Sequence, residues 1–473
     1  MSVSSTIAAE TVGARVAPHA NAEKSEIAAR REALLRGPII PLLLKLALPT
    51  VVVLAVQTLV GVAETYFVSF LGTDTIAGVA LVFPVLMLMQ MMSNGGIGGG
   101  VASAVARALG AGRKADVDAL VLNAFVMAIV LGALFTIGEF LGGRALYSAL
   151  GGHGDALEAA LGYANVVFAG AILVWIVSLL SAALRGAGNT LVPAAITSGG
   201  LFILLPLSPL LIFGWGPVPR FGVAGAGLAV VTYYLVGTVV IIAYLRSSRS
   251  SLKLSFDPRL IKVRLLGDIL KVGALSAFGT VQSNLTVVLV TGAVGLFGID
   301  AIAGYGIASR LDYILVPLTF AMGSAALTMV GANMGAGQFA RAERIAWLGG
   351  LIAAGVTETI GLAAALFPHA WLSLFTSDAN VIATGTLYLH TVAPCYGVFG
   401  LGMLLYFAGQ GAGHVLWPFF GGTARLVIAA VIGWIAVKTF GAGLSTLFMI
   451  VAASSLAFGG VTAAALALKG WSR

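Results

Sequence analysis

Glu64 is the residue with the clearest capacity for chemistry, because it stands inside an apolar run extending from about Leu46 to Leu71. An ionised side chain at the centre of a bilayer costs about 2.5–3.5 kcal/mol on insertion scales. Desolvation disfavours the charged form of a carboxyl, so protonation removes most of that cost. With no cation beside it, Glu64 reads as a proton carrier. Gln57 and Gly61 lie on the same helical face, at i−7 and i−3, and Gln57 can hydrogen-bond either form of the acid. Locking two helices together is the competing role, yet acids at membrane depth are functional by default.

The other polar residues give weaker signals. Glu139 is expected to reach the headgroups, and Glu358 in "GVTETIG" lies deeper. Arg310 and Asp312 in "ASRLDY" are two apart and do not face each other, so they read as separate anchors. His390 reads as a packing residue. Ser208 sits between Pro206 and Pro209, which kink their segment. Tyr66, Trp175, Ser283, Asn284, Tyr396 and Phe399 are the candidates for a substrate cavity, with Tyr305 and Tyr313 as further aromatics, since aromatic faces stack on organic cations. The glycines of "NGGIGGG" (94–100) follow no strand and precede no Lys-Ser/Thr, so they favour close helix packing over a phosphate cradle.

These side chains need elements to hold them. The 473 residues are 59% hydrophobic and only 9% charged, against about 25% charged in a soluble domain. Mean hydropathy is +1.03, and the solvent these residues fit is a bilayer. Segments near 42–70, 77–103, 117–141, 159–184, 190–213, 222–245, 266–297, 302–333, 343–367, 382–410, 416–440 and 444–468 are each long enough to span it. Regular alternation suited to barrel strands is absent, so the expected fold is all-α, with twelve transmembrane helices. Residues 1–37 form a polar tail without a signal-peptide core. The single Cys395 excludes an internal disulfide framework. No HExxH, paired aspartates or Ser/His nucleophile arrangement falls within the spans, which argues against an intramembrane enzyme.

Of the 26 Lys and Arg, 21 fall in the N-terminal tail, the C-terminus or the ends joined by loops after even-numbered helices. Positive charge marks the cytoplasmic side, so both termini are expected inside. The net charge of +8 is thus explained without a nucleic-acid partner.

The chain also repeats itself. "FLGTDTIAGVA" (70–80) returns as "LFGIDAIAGYG" (296–306), "ALGAGRKAD" (108–116) as "NMGAGQFAR" (333–341), and "LRGAGNTLVP" (184–193) as "GQGAGHVLWP" (409–418). The offsets are 226, 225 and 225 residues, the mark of duplication. Six helices per copy is an even number. The two lobes, 38–245 and 266–473, should therefore be related by a pseudo-two-fold axis along the membrane normal, with substrate sites between them. The basic connector 246–265 is expected to run along the cytoplasmic surface near anionic lipid.

With "LALPT" (46–50), "AETYFVSFLGTDTIAGVAL" (63–81), "AVARALGAG" (104–112), "LRGAGNT" (184–190), "GVAGAGLA" (222–229), "ALTMVGANMGAG" (326–337) and "GLGMLLYFAGQGAG" (400–413), the chain resembles the multidrug and toxic compound extrusion (MATE) family across about residues 38–468. The resemblance implies a two-lobed antiporter that exports cationic, often aromatic compounds in exchange for H⁺ or Na⁺. It places Glu64 at the position of an acid usual in helix 1, where most members carry Asp. Ser208 of "LSPLLIFG" stands where many have a second carboxylate, Ser283 stands where some have a helix 7 glutamate, and 382–410 holds no carboxylate. Glu64, with Gln57 and Ser208 nearby, is thus the expected coupling site, and H⁺ the first choice of ion. Na⁺ coupling and a lipid-linked-precursor flippase are the alternatives. No cofactor or metal is expected, and the working form is taken as a monomer in the inner membrane.

Overall fold

In hydrocarbon a backbone must satisfy its own hydrogen bonds, and the long apolar runs fold accordingly. The computed structural model describes residues 28–471; most of the N-terminal tail lies outside them. Among the described residues, eleven helices are long and apolar enough to cross a bilayer, and one bent pair supplies a twelfth crossing. They are α1 (Ile39–Ser69), α2 (Thr73–Gly110), α3 (Lys114–Ala149), α4 (Gly154–Ala169 with Ala171–Gly186), α5 (Leu191–Phe213) and α6 (Val223–Arg246). The second half contributes α7 (Val263–Gly295), α8 (Ile299–Gly335), α9 (Phe339–Leu366), α10 (Ala379–Ala412), α11 (Leu416–Phe440) and α12 (Leu444–Leu468).

Several crossings expected as continuous helices are interrupted. α4 bends by 49° between its two segments, at Gly170, where any Cβ would come within 2.7 Å of Val231 Cγ2. α10 breaks at Ala393–Cys395, where Pro394 removes a backbone donor. α8 tightens at Ser309–Leu311 and α2 loosens into one wide turn at Met92–Gly96.

The duplication is visible in backbone angles. Gly72 and Gly298 both have φ 106°, Gly112 and Gly337 have 73° and 74°, and Gly188 and Gly413 have 77° and 79°. These pairs share the left-handed region that side-chain-bearing residues avoid, at the same points of the two copies.

Packing differs between the two ends of the molecule. Near the ends that carry the basic residues, one core joins both halves, including Leu43, Val105 and Leu109 from the first and Met329, Val330 and Leu404 from the second. At the opposite end the second half keeps a core of its own, around Val290, Leu315, Tyr388 and Phe448. The joined end is held by contacts that obey the repeat. A Cβ at Gly110 would strike the carbonyl oxygen of Ala332, and a Cβ at Gly335 would strike that of Arg107. Ser103 Oγ donates to the Gln410 carbonyl, and Thr328 Oγ1 donates to the Arg185 carbonyl at 3.0 Å. In each of these pairs of contacts the partners are exchanged by the same 225-residue offset.

Residues 28–36 of the tail are helical and lie across this joint. Arg31 donates to the carbonyls of Leu109 and Gly110, while Asn333 Nδ2 donates to the Leu34 carbonyl at 3.0 Å. The connector, expected to run along the cytoplasmic surface, is pinned to α3. Lys253 N donates to Asp118 Oδ1 at 3.1 Å, Asn123 Nδ2 to the Leu260 carbonyl at 2.9 Å, and Leu252 and Leu254 are buried.

Candidate functional site

The apolar sequence around Glu64 forms the far half of α1, and the carboxyl lies about 7 Å before the helix end at 1.5 Å rise per residue. It is therefore nearer one membrane face than the middle of the helix. Oε1 is shielded from solvent and has no hydrogen-bond partner among the described residues. Tyr163 of α4 and Tyr233 and Tyr234 of α6 lie within electrostatic reach of it. Tyr233 in turn hydrogen-bonds Gln57 and donates to the Thr197 carbonyl at 3.4 Å. Gln57 thus meets the acid's tyrosine neighbour. Ser208 is fully buried and its Oγ has no partner among the described residues. The three tyrosines were not singled out from sequence. The signal available was the repeat, because Tyr163 returns as Tyr388 at 225 residues.

Between the lobes lies a cavity of about 310 Å³. Gln57, Tyr233 and Tyr234 line it from the first lobe, so the tyrosines stand both beside Glu64 and on the cavity wall. Ser283, Thr280 and Gln282 line it from α7, and Phe320, Tyr406 and Phe407 supply aromatic surface from the second lobe. Among the described lining residues there is no Asp or Glu, and Arg185 is the one charged side chain. The sequence counted Arg185 with the basic loop ends; it stands at the joined end, where its carbonyl meets Thr328, and from there it lines the cavity.

Of the residues expected to line a substrate cavity, Ser283 does so, and the others whose side chains are described lie outside its lining. Trp175 is completely buried inside the first lobe, with its ring centroid 5.7 Å from that of Phe135. Tyr66 is 60% exposed beyond Glu64 and packs edge-on against Phe70 at 5.0 Å. Asn284 turns back to the Thr280 carbonyl at 3.0 Å and approaches Met91 Sδ at 3.5 Å. The Tyr313 side chain lies outside the described ones.

Tyr396 and Phe399 belong to a separate buried cluster in the second lobe. There the Arg425 guanidinium sits 4.7 Å from the Phe399 ring centroid and interacts with the Asp312 carboxylate and with Tyr388 and Tyr305. Asp312, read from sequence as an anchor, lies within electrostatic reach of that guanidinium. Arg310 points away from it, over the Phe375 ring at 5.3 Å. Glu139 also departs from expectation. It is buried rather than at the headgroups and accepts a hydrogen bond from Tyr147 at 3.0 Å. Glu358 accepts from the Gly397 backbone N–H at 2.7 Å, beside the break in α10. Among the described residues no three His, Cys, Asp or Glu side chains gather as metal ligands would.

Two duplicated six-helix lobes around a shared cavity define a multi-pass membrane transporter rather than an enzyme. The MatE family profile matches residues 49–210 and 276–435, and the chain belongs to that family of efflux transporters. It is 30% identical over 386 residues to a FAD transporter of Shewanella oneidensis, covering 78% of this chain and 82% of that one. It is 27% identical over 407 residues to a probable multidrug resistance protein NorM of Thermotoga maritima, covering 85% and 86%. An outward-facing multidrug resistance MATE transporter of the MOP superfamily superposes with a TM-score of 0.81 at 25% identity, covering 90% of this chain and 95% of that one.

Proposed function

We propose that this chain is a proton-coupled exporter of small amphipathic molecules, with Glu64 as the coupling acid. The observation that carries the reading is the Glu64 oxygen held out of water without a partner, behind two tyrosines that face the cavity. One shielded oxygen without a counter-ion makes charge on this carboxyl costly. Losing the proton leaves a bare charge that the lobe must rearrange to accommodate. A ligand shifts a conformational equilibrium only through its different affinity for the two states, and one titrating acid supplies that difference.

The joined end carries most of the basic residues and is assigned to the cytoplasm, with both termini inside the inner membrane. The cavity is then sealed from the cytoplasm, and transport requires the Gly110–Ala332 and Gly335–Arg107 contacts to part. The protein acts as a monomer, because both copies of the repeat are already in one chain. Moving one charge through 100 mV supplies about 2.3 kcal/mol; an exchange of one proton for one monovalent cation draws on the pH gradient alone.

Organic cations are the substrates the resemblance implies. A second reading, export of a flavin dinucleotide, is favoured by the name of the Shewanella relative and by a cavity whose charged group is a cation.

The test is efflux from vesicles under an imposed pH gradient, with and without Na⁺, comparing the wild type with Glu64→Gln. Wild-type efflux should follow the pH gradient in either salt, and the variant should insert normally but transport no better than empty vesicles. Strict Na⁺ dependence, or near-normal transport by Glu64→Gln, overturns the proton reading.

A further inference from the structure

We infer that the inter-lobe cavity contains an anion site built on Arg185, suited to a planar aromatic compound that carries a phosphate or carboxylate. The inference rests on the transport reading and names the chemistry of its cargo.

Arg185 lines the cavity from the last turn of the second α4 segment. Its side chain has no ion-pair or hydrogen-bond partner among the described residues, and only its backbone carbonyl is engaged, by Thr328. The deep arginines nearby in the fold are satisfied. Arg107 donates to Ser103 and to the Gly411 carbonyl, and Arg425 has Asp312 and the face of Phe399. A guanidinium stays charged, and no side chain among the described residues neutralises this one. The cavity is the side from which an anion can reach it.

A position near a helix C-terminus favours a cation through the backbone dipole, which would be a purely structural reason for this arginine. The repeat argues against it. The equivalent residue of the second lobe, 225 positions on, is the neutral Gln410, likewise just before the end of its helix. The fold does not require a charge there. Only the copy that faces the cavity has one.

The rest of the lining suits the remainder of such a ligand. Gln57, Gln90 and Asn94 offer amide groups for a polar heterocycle, and Tyr234, Phe320 and Tyr406 offer aromatic surface. No carboxylate among the described lining residues competes for the guanidinium or repels an anion.

Flavin mononucleotide and riboflavin differ by one phosphate, so equilibrium binding of the two to purified full-length protein isolates the charge. Wild type should bind the phosphorylated form at least about tenfold more tightly, the lower range for a hydrogen bond to a charged group. Arg185→Gln should erase that preference while leaving riboflavin affinity unchanged, and Arg185→Lys should keep part of it. Equal affinity of wild type for both compounds overturns the inference, as does a preference that survives Arg185→Gln. If Arg185→Gln does not fold, the wild-type ratio and Arg185→Lys decide, because a reduced preference in a folded Lys variant with wild-type riboflavin affinity still locates it at this residue, and an unchanged preference overturns the inference. Glu64→Gln separates the two proposals. It should bind flavin mononucleotide normally while failing to transport, so a failure of coupling leaves the binding ratio untouched.

Discussion

In the first lobe Glu64 keeps a buried oxygen without a partner, whereas in the second lobe Asp312 lies within electrostatic reach of Arg425. The two acids share a neighbour by descent, since Tyr163 near Glu64 and Tyr388 near Asp312 are repeat equivalents. The acids themselves stand at different points of the repeat, since Glu64 corresponds to Leu289 and Asp312 to Met87, and the cation is found on one side only. The position equivalent to Arg425 in the first lobe is Gly200, and the Tyr233 ring fills the space beside it, with Cε2 2.6 Å from where a Cβ would stand. One duplicated scaffold therefore sets an acid in the field of a cation on one side and an acid without one on the other. A nearby cation favours the charged form of an acid; a lone acid has no such hold and is free to exchange its proton.

Removing the cation is the most damaging way to break this comparison. Arg425→Ala takes a cation from the field of Asp312 and from the face of Phe399 and should destabilise the protein by up to about 3 kcal/mol, read as a fall in melting temperature in detergent. Adding Asp312→Asn should restore much of it. Glu64→Gln, which breaks no ion pair, should melt close to wild type. An equal loss for Arg425→Ala and Glu64→Gln would mean that both acids are structural.

A smaller effect tests whether the lobes are equivalent at their joint. Gly110→Val and Gly335→Val each drive a side chain into a backbone carbonyl of the other lobe, at an overpacking cost of about 1–3 kcal/mol. Both should loosen the sealed end alike, raising the labelling of cysteines introduced into the cavity from that side. A response from one variant only would show that the pseudo-symmetry does not extend to the energetics.

The smallest expected effect belongs to the crossed hydroxyls. Ser103→Ala and Thr328→Ala each remove one hydroxyl that donates across the lobes, to the Gln410 and Gly411 carbonyls in the first case and to the Arg185 carbonyl in the second, at about 0.5–1.5 kcal/mol per hydrogen bond. Melting temperatures of the single and double variants measure both terms and their coupling, and unequal single losses would again separate the lobes.

The helices were legible because spanning length is a local property of an apolar run, and the repeat because glycines recur where the backbone needs positive φ. Glu64 stood out because a carboxyl in such a run is expensive. The cavity lining was far less legible. Trp175, Tyr396 and Phe399 are aromatic and deep, and nothing in their spacing distinguishes the inside of a lobe from the gap between lobes. Arg185 looked like one more basic residue at a helix end, and nothing in its position marked it as lining the cavity.

By itself the sequence determined that this chain crosses a membrane about twelve times, that its second half copies its first, and that one acid lies in the first crossing. Tertiary structure alone decided which side chains share the cavity, which acid stands near a cation, and which arginine is left without a counter-ion. The physical reason is rotational. A helix apolar on all sides carries no stripe to show which face turns toward lipid and which toward its neighbours, and only packing against the other helices settles it.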